Sequence, residues 1–453
     1  MSATKPQTKM PTCSHKPTTY KGPVRDEVLE LRQQYVAPAV FTYYKKPLQI
    51  VEGYMQYLWD ETGRRYLDAA AGIVTVSVGH CHPRIVSAVR DQVGKLTHTT
   101  TLYLHPTITT YAKNLADHFP KESGLKVTYF TNSGSESNEL ATMLARLHTG
   151  CFEIIALRNG YHGGTQTTMG FTAIGNWKYP LPHSFGVRFT TPGYCYRCPF
   201  GLEYPDCSLK CAHNLAQVIE YETAGQIAAF IAEPIQGVGG IIAPPPEYFR
   251  IVYDIVRAHG GLCISDEVQT AWGRLGTHFW GFEAYGVTPD IVVMAKGIGN
   301  GVPLGAVTTR PDIAECMKQK LHFNTFGGNP VSMIQGLTTL EIIDSENIQK
   351  HAHEVGGYLK ERLIDLQRSH RLIGEVRGRG LLLGIELVRD HISKEPATEE
   401  AANVHEVAKD RGLLTGRGGV YGNVLRINPP MCITKADVNF LADCLDETFA
   451  AVE

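Results

Sequence analysis

Ile291-Val-Val-Met-Ala-Lys296-Gly-Ile-Gly-Asn-Gly-Val-Pro303 sets one lysine at the end of an apolar run and follows it with glycines. The run has the length and content of a buried strand, and the glycines remove side-chain bulk from whatever approaches the amine. Burial disfavours the charged ammonium, which leaves a neutral, nucleophilic amine able to form a Schiff base with a carbonyl compound. On this segment alone, a lysine that snorkels from a strand end fits as well.

Upstream, Cys263-Ile-Ser-Asp266-Glu-Val-Gln269 places a carboxylate just past the preceding apolar run. There it can pair with a protonated pyridine nitrogen, which would make that ring an electron sink. Taken singly, a solvated strand-end acid explains it too. Phe130-Thr-Asn-Ser133-Gly134-Ser135-Glu is a strand, a turn of small residues and the start of a helix. Unpaired amides and the helix dipole at such a start favour an anion, although Ser-Gly-Ser is also ordinary capping sequence. Asn159-Gly-Tyr161-His162-Gly-Gly offers an aromatic ring after a strand, suited to stacking on a planar group or to packing within a loop. Ile231-Ala-Glu233-Pro-Ile-Gln-Gly brings a second carboxylate after another strand, and Val424-Leu-Arg426-Ile-Asn-Pro-Pro430 carries an arginine that could pair with it. A structural salt bridge competes with a binding role for both.

The apolar runs at 127–130, 153–157, 227–232, 261–265, 291–294 and 304–308 alternate with helical stretches. That alternation predicts an α/β fold with a mostly parallel sheet flanked by helices, whose ligands sit beyond the carboxyl ends of the strands. Met55 to Asp68 reads as two short strands around a turn at Thr62-Gly63. Beyond Pro330 come long helices, a Gly-rich hairpin at 374–384 and a last strand near Val424. We read a flexible tail at 1–35, a small-domain segment at 36–75, a large domain at 76–330 and a smaller α+β domain completed by 331–453. A chain of 453 residues with 43% apolar content supports such a division.

The formal net charge of -2 and the scattered Lys and Arg imply neither nucleic acid nor an anionic membrane as partner. No apolar stretch reaches the roughly 20 residues of a membrane span, so the reading is a cytoplasmic protein acting on small molecules. The basic tail before Asp26 would instead give a mitochondrial address if it is a transit peptide, although Pro6, Pro11 and Pro17 oppose an amphipathic helix.

The motifs occur in one order: Ser-Gly-Ser-Glu (133–136), Gly-Tyr-His-Gly (160–163), Glu-Pro-Ile-Gln-Gly (233–237), Ser-Asp-Glu-Val-Gln (265–269), Ala-Lys-Gly (295–297) and Asn-Thr-Phe-Gly-Gly-Asn-Pro (324–330). In this order and spacing the chain resembles the class III aminotransferases, of pyridoxal-phosphate fold type I, from about Val36 to the C-terminus. The resemblance implies pyridoxal 5'-phosphate as cofactor, with Lys296 and Asp266 as catalytic residues. It also implies that Ser133, Gly134 and Ser135 hold the phosphate, that Tyr161, next to His162, stacks on the ring, and that Val268 packs on the opposite face. Gln269 would approach the ring hydroxyl, Arg426 would grip the substrate carboxylate, and Glu233 would neutralise a nearby side chain or contact the substrate entrance. Thr325 would reach the phosphate of a neighbouring subunit, which implies a homodimer or a dimer of dimers. Tyr43 and Trp59, with Phe41, are candidates for the substrate wall, and no catalytic metal is expected.

Within the class, Gly72 to Pro83, His322 to Pro330 and Met431 to Lys435 are most similar to the alanine–glyoxylate aminotransferase 2 group. That implies ping-pong transfer from alanine, β-alanine or 3-aminoisobutyrate to glyoxylate or pyruvate, with the freed amine of Lys296 moving the substrate proton. One departure is Thr270-Ala271-Trp272-Gly273-Arg274, where the family usually has Gly before the aromatic residue. The alternatives are a broad ω-amine:pyruvate aminotransferase and a phospho-lyase on an amino-alcohol phosphate. The lyase needs an extra anion site, and no basic pair is expected at the substrate beside Phe41-Thr-Tyr-Tyr44. Cys195, Cys198, Cys207 and Cys211 form a cluster open to zinc, disulfides or reduced thiols, and we assign it to stability.

Overall fold

The computed structural model describes residues 9–453, so the first eight residues of the tail, with Pro6, lie outside the description. In chain order the strands are β1 (Ile50–Tyr54), β2 (Tyr57–Asp60), β3 (Arg65–Ala69), β4 (Val127–Thr131), β5 (Ile154–Leu157), β6 (Val187–Thr190), β7 (Ala229–Ala232), β8 (Leu262–Asp266), β9 (Ile291–Met294), β10 (Gly305–Thr309), β11 (Ile373–Arg379), β12 (Leu382–Leu387), β13 (Leu413–Gly418) and β14 (Val424–Ile427). They form two seven-stranded sheets flanked by helices, the fold type I arrangement.

The larger sheet has the order β4-β10-β9-β8-β7-β5-β6. Its β9-β8, β8-β7, β7-β5 and β5-β6 pairs are parallel. Strand β10 runs antiparallel to both β9 and β4. The cause is local: the link 295–304, which carries Lys296, is too short for the crossover that a parallel neighbour requires. Strands β5, β7, β8 and β9 are buried throughout, so they read as continuous apolar runs, whereas the edge strand β6 is only part-buried.

The smaller sheet has the order β1-β2-β3-β13-β14-β12-β11. The N-terminal meander joins the C-terminal strands through the parallel β3-β13 pair. Asp60 shapes the β2-β3 turn by accepting from the Thr62 and Arg64 amides at 2.9 and 3.0 Å, with Gly63 at φ +83°. The described part of the tail lies over this sheet. His15 stacks on Tyr54 at 4.6 Å, and the Thr18 amide donates to Glu52 at 2.8 Å.

Candidate active site

Four strands of the larger sheet deliver their next residues to one place. Tyr161 and His162 follow β5, Glu233 follows β7, Asp266 ends β8 and Lys296 follows β9. With Gly134, Ser135, Asn138, Gly163, Val268 and Gln269 they line a cavity of about 160 Å³. The lysine sits in a tight turn with φ +49°, a conformation an L-residue adopts at a cost, and Ser77 braces that turn by donating to the Gly297 carbonyl at 2.9 Å.

Asp266 is held from three sides. Its Oδ2 accepts from His162 Nδ1 at 2.7 Å and from Asn138 Nδ2 at 2.9 Å, while Oδ1 accepts from the Val268 amide at 3.1 Å. Burial opposes charging of His162, but the bond to Asp266 and its negative charge prevail and raise the imidazole pKa. Glu233 accepts from the Tyr161 amide at 3.0 Å and the Gly237 amide at 2.8 Å. Its own pKa is raised, chiefly by burial. Burial, with Arg426 nearby, pushes the Lys296 amine down to about 8, against the partial opposition of Glu233 and Asp266. Part of the lysine is therefore neutral near physiological pH.

Gly134 and Ser135 open the helix Gly134–Thr149, and Ser133 is its N-cap, accepting from the Glu136 amide at 3.2 Å. Ser133 thus serves the helix, whereas Gly134 and Ser135 face the cavity. A Cβ on Gly134 would come within 3.3 Å of Val268, so a side chain there would narrow the cavity. The sequence reading missed Asn138, although it lies one helical turn beyond Ser135 on the same face.

Arg426 reaches the site from β14 across the glycines of β13. A Cβ at Gly416 or Gly418 would stand 3.0 or 2.9 Å from its side chain. The pairing with Glu233 that the sequence left open is not formed: Arg426 Nη2 donates to Gln269 Oε1 at 2.6 Å, and Glu233 accepts from two backbone amides. Burial lowers the Arg426 pKa, and among the described residues no carboxylate lies within ion-pair distance of it.

A second cavity, about 590 Å³, shares Tyr161 and Gly163 with the first. Phe41, Tyr43, Trp177 and Tyr179 line it, and so do Lys178 and Arg417. This corrects the expectation that no basic pair adjoins the Phe41–Tyr44 segment. Lys178 and Arg417 come from distant parts of the chain, which local sequence could not reveal, whereas Lys45 and Lys46 follow the segment directly. Trp59 is also corrected as a wall residue: it is buried in the core against Tyr57, with His15 at 5.1 Å. Thr325 is exposed and lines neither cavity. All eleven cysteines are free thiols, and among the described residues no group of three or more His, Cys, Asp or Glu side chains is placed to hold a metal ion.

The lining fits a planar, phosphate-bearing aldehyde. It offers an amine of lowered pKa, a carboxylate with acceptor capacity left on Oδ1, and a helix N-terminus for an anion. His162 Nε2 and Asn138 Oδ1 are buried polar atoms without a protein partner at this site.

The family profile for class III aminotransferases matches residues 42–449. An Arabidopsis thaliana protein named mitochondrial alanine–glyoxylate aminotransferase 2 homolog 2 is 49% identical over 97% of this chain and 91% of its own length. The human mitochondrial alanine–glyoxylate aminotransferase 2 is 44% identical over 97% of this chain and 89% of its own. Among solved structures, an amine transaminase from an uncultivated Pseudomonas species in its PLP-bound form superposes with a TM-score of 0.87 at 29% identity, covering 93% of this chain and 99% of that one. An Arthrobacter phospholyase in complex with phosphoethanolamine gives a TM-score of 0.87 at 32% identity, covering 94% and 99%. With a family match across nearly its whole length and an amine, a carboxylate and a helix N-terminus gathered in one cavity, the chain belongs to the class III aminotransferases and is a transaminase.

Proposed function

We propose that the enzyme moves an amino group from a small amino acid, of the alanine, β-alanine or 3-aminoisobutyrate type, to glyoxylate or pyruvate by a ping-pong route. Its cofactor is pyridoxal 5'-phosphate, which supplies an aldehyde for amine exchange and a ring that withdraws electrons. Gly134 and Ser135 receive the phosphate, with Ser133 ordering the helix behind them. Asp266, held by His162, Asn138 and the Val268 amide, would face the ring nitrogen. Val268 and Tyr161 would confine the ring, and Gln269, which accepts from Arg426, would approach the ring hydroxyl. Lys296 would hold and move the substrate proton at Nζ, a task that its lowered pKa suits. The relatives named alanine–glyoxylate aminotransferase 2 support this choice of donor and acceptor.

The observation that carries the reading is Arg426, a buried guanidinium whose side-chain partner is the neutral amide of Gln269. A buried cation without a counter-charge is costly, and a substrate carboxylate supplies that charge. Glu233, held by two backbone amides, partly offsets the positive potential around it. The test is to supply the holoenzyme with L-alanine or β-alanine and glyoxylate and to follow glycine by chromatography. Glycine formation supports the reading, and its absence with both donors refutes it.

Lys178 and Arg417 in the outer cavity favour a second reading, a phospho-lyase, because together they offer an anion site. Phosphate release from phosphoethanolamine without an acceptor would establish it.

A second copy of the chain completes the site in our reading. Leu104 and Leu321 are fully exposed, and Leu102, Tyr103, Phe323 and Phe326 are exposed beside them in sequence, so the segment bearing Thr325 presents an apolar surface. Light scattering on the eluting holoenzyme distinguishes a monomer from a dimer or a dimer of dimers. For compartment, the relatives' mitochondrial names weigh against the cytoplasmic expectation, and fractionation of the host decides between them.

A further inference from the structure

Tyr43 belongs to an irregular segment, 36–49, that links the helix Arg25–Tyr35 to strand β1. Its hydroxyl nevertheless has a defined place. It donates to the Arg417 carbonyl at 3.4 Å and accepts from the Arg417 amide. Gly416 stands opposite Arg426 in the β13-β14 register, and a Cβ on Gly416 would be 3.0 Å from Arg426 Cβ and 3.6 Å from the Tyr43 hydroxyl. The phenol and the stem of the arginine therefore meet at one point on the face of β13.

The helix Thr398–Asp410 holds Tyr43 there. His405, with only 2% of its surface exposed, stacks on Tyr44 at 4.4 Å with 12° between the rings, and meets the Tyr43 ring edge-on at 4.7 Å. Its Nδ1 bonds Thr415 Oγ1 at 2.9 Å, which fixes the ring to β13. The next residue, Glu406, accepts from the Lys45 and Lys46 amides at 3.0 and 3.1 Å and so grips the same segment from its other end. Burial keeps the imidazole pKa near 4, so His405 is a neutral ring throughout the working range.

We propose that His405, with Glu406, is a positioning residue for the carboxylate end of the substrate: it clamps the 43–46 segment so that the Tyr43 hydroxyl stands beside Arg426. The inference rests on the reading of Arg426 as the carboxylate anchor and extends it to residues that touch no substrate. A flexible segment would have to be ordered at each binding event, and the clamp removes that cost in advance. Carboxylate affinity should suffer when the clamp is lost, while proton movement at Lys296 should not.

The test uses propionate, a carboxylate without an amine, titrated into holoenzyme while the visible absorbance of the cofactor is followed, together with kcat and KM for β-alanine. His405→Leu removes the ring. Glu406→Ala releases the segment from a different point. Both are expected to weaken propionate binding and raise KM roughly tenfold, about 1.4 kcal/mol, with kcat within about twofold of the parent. His405→Phe, which keeps an aromatic ring in the stack, is expected to return both values to within about twofold. Unchanged propionate binding in the Leu and Ala variants overturns the proposal, as does a parallel fall in kcat and affinity, which would mean general loss of packing. Failure of the parent to bind propionate overturns it as well. An unmodified enzyme that binds propionate yet yields no glycine would refute the aminotransferase substrates while leaving the clamp standing.

Discussion

Replacing Lys296 by Met in the cofactor-free protein should make it more stable near neutral pH. The parent must carry an ammonium in a site where burial and Arg426 disfavour charge, and this lowers its pKa from 10.5 to about 8. At about 1.4 kcal/mol per pH unit, that difference is a penalty of roughly 3 kcal/mol on the folded state when both states are protonated. The sign follows from proton counting. Between about 8 and 10.5 the unfolded chain binds the proton and the folded chain does not, so the parent gains stability as pH rises through that window. Below it the penalty is complete, and above it the penalty is gone. Met fills a similar volume without charge, so the variant's advantage should be greatest at pH 6.5–7.5 and should shrink steadily toward pH 10. Urea unfolding of both proteins at a series of pH values, followed by tryptophan fluorescence, measures it. An advantage that does not change with pH, or a parent more stable than the variant at pH 7, would refute the reasoning.

Asp266→Asn keeps the shape but removes the charge that His162 and Asn138 hold in place; kcat should drop by about a hundredfold or more, measured by glycine formation. Arg426→Gln should raise KM for β-alanine roughly ten- to a hundredfold, the worth of a charged hydrogen bond, while 1-phenylethylamine, if accepted, is affected far less. Reconstitution of cofactor-free enzyme, followed as growth of visible absorbance, should accelerate as pH rises and level off above about 8, because only the neutral Lys296 amine attacks. Cys198→Ser should lower Tm by about 1–2 °C without altering kcat, since the thiol cluster lies outside both cavities. Equal Tm in variant and parent would remove the stabilising role.

What the sequence made legible depended on whether the relevant geometry was local. Tyr161, Glu233, Asp266 and Lys296 each follow a short apolar run, and parallel strands bring their carboxyl ends together, so reading the runs was enough to gather the residues. Strand β10 is an antiparallel exception within the expected mostly parallel sheet because the glycine-rich link carrying Lys296 leaves no room for a crossover. Trp59 looked like a wall residue from its aromatic character alone, but the face of β2 that it shares with Tyr57 packs into the core. The partner of Arg426 was left open for a different reason. A carboxylate and an arginine suggest a salt bridge, yet Glu233 finds two backbone amides at closer hand, and Gln269 takes the guanidinium. Lys178, Arg417 and His405 act through contacts among segments far apart in the chain, and no spacing rule exposes those.

The central claim is that Lys296, Asp266 and Arg426 together run an amino-transfer half-reaction on a small amino acid. Its most direct test is the absorbance spectrum of holoenzyme before and after L-alanine and, separately, β-alanine, each without an acceptor. The expected result is a visible band that fades as a near-ultraviolet band rises with at least one donor, and that returns when glyoxylate is added. A visible band unchanged by both donors would contradict the amino-transfer claim, and cofactor-loaded protein without such a band would contradict the assignment of Lys296.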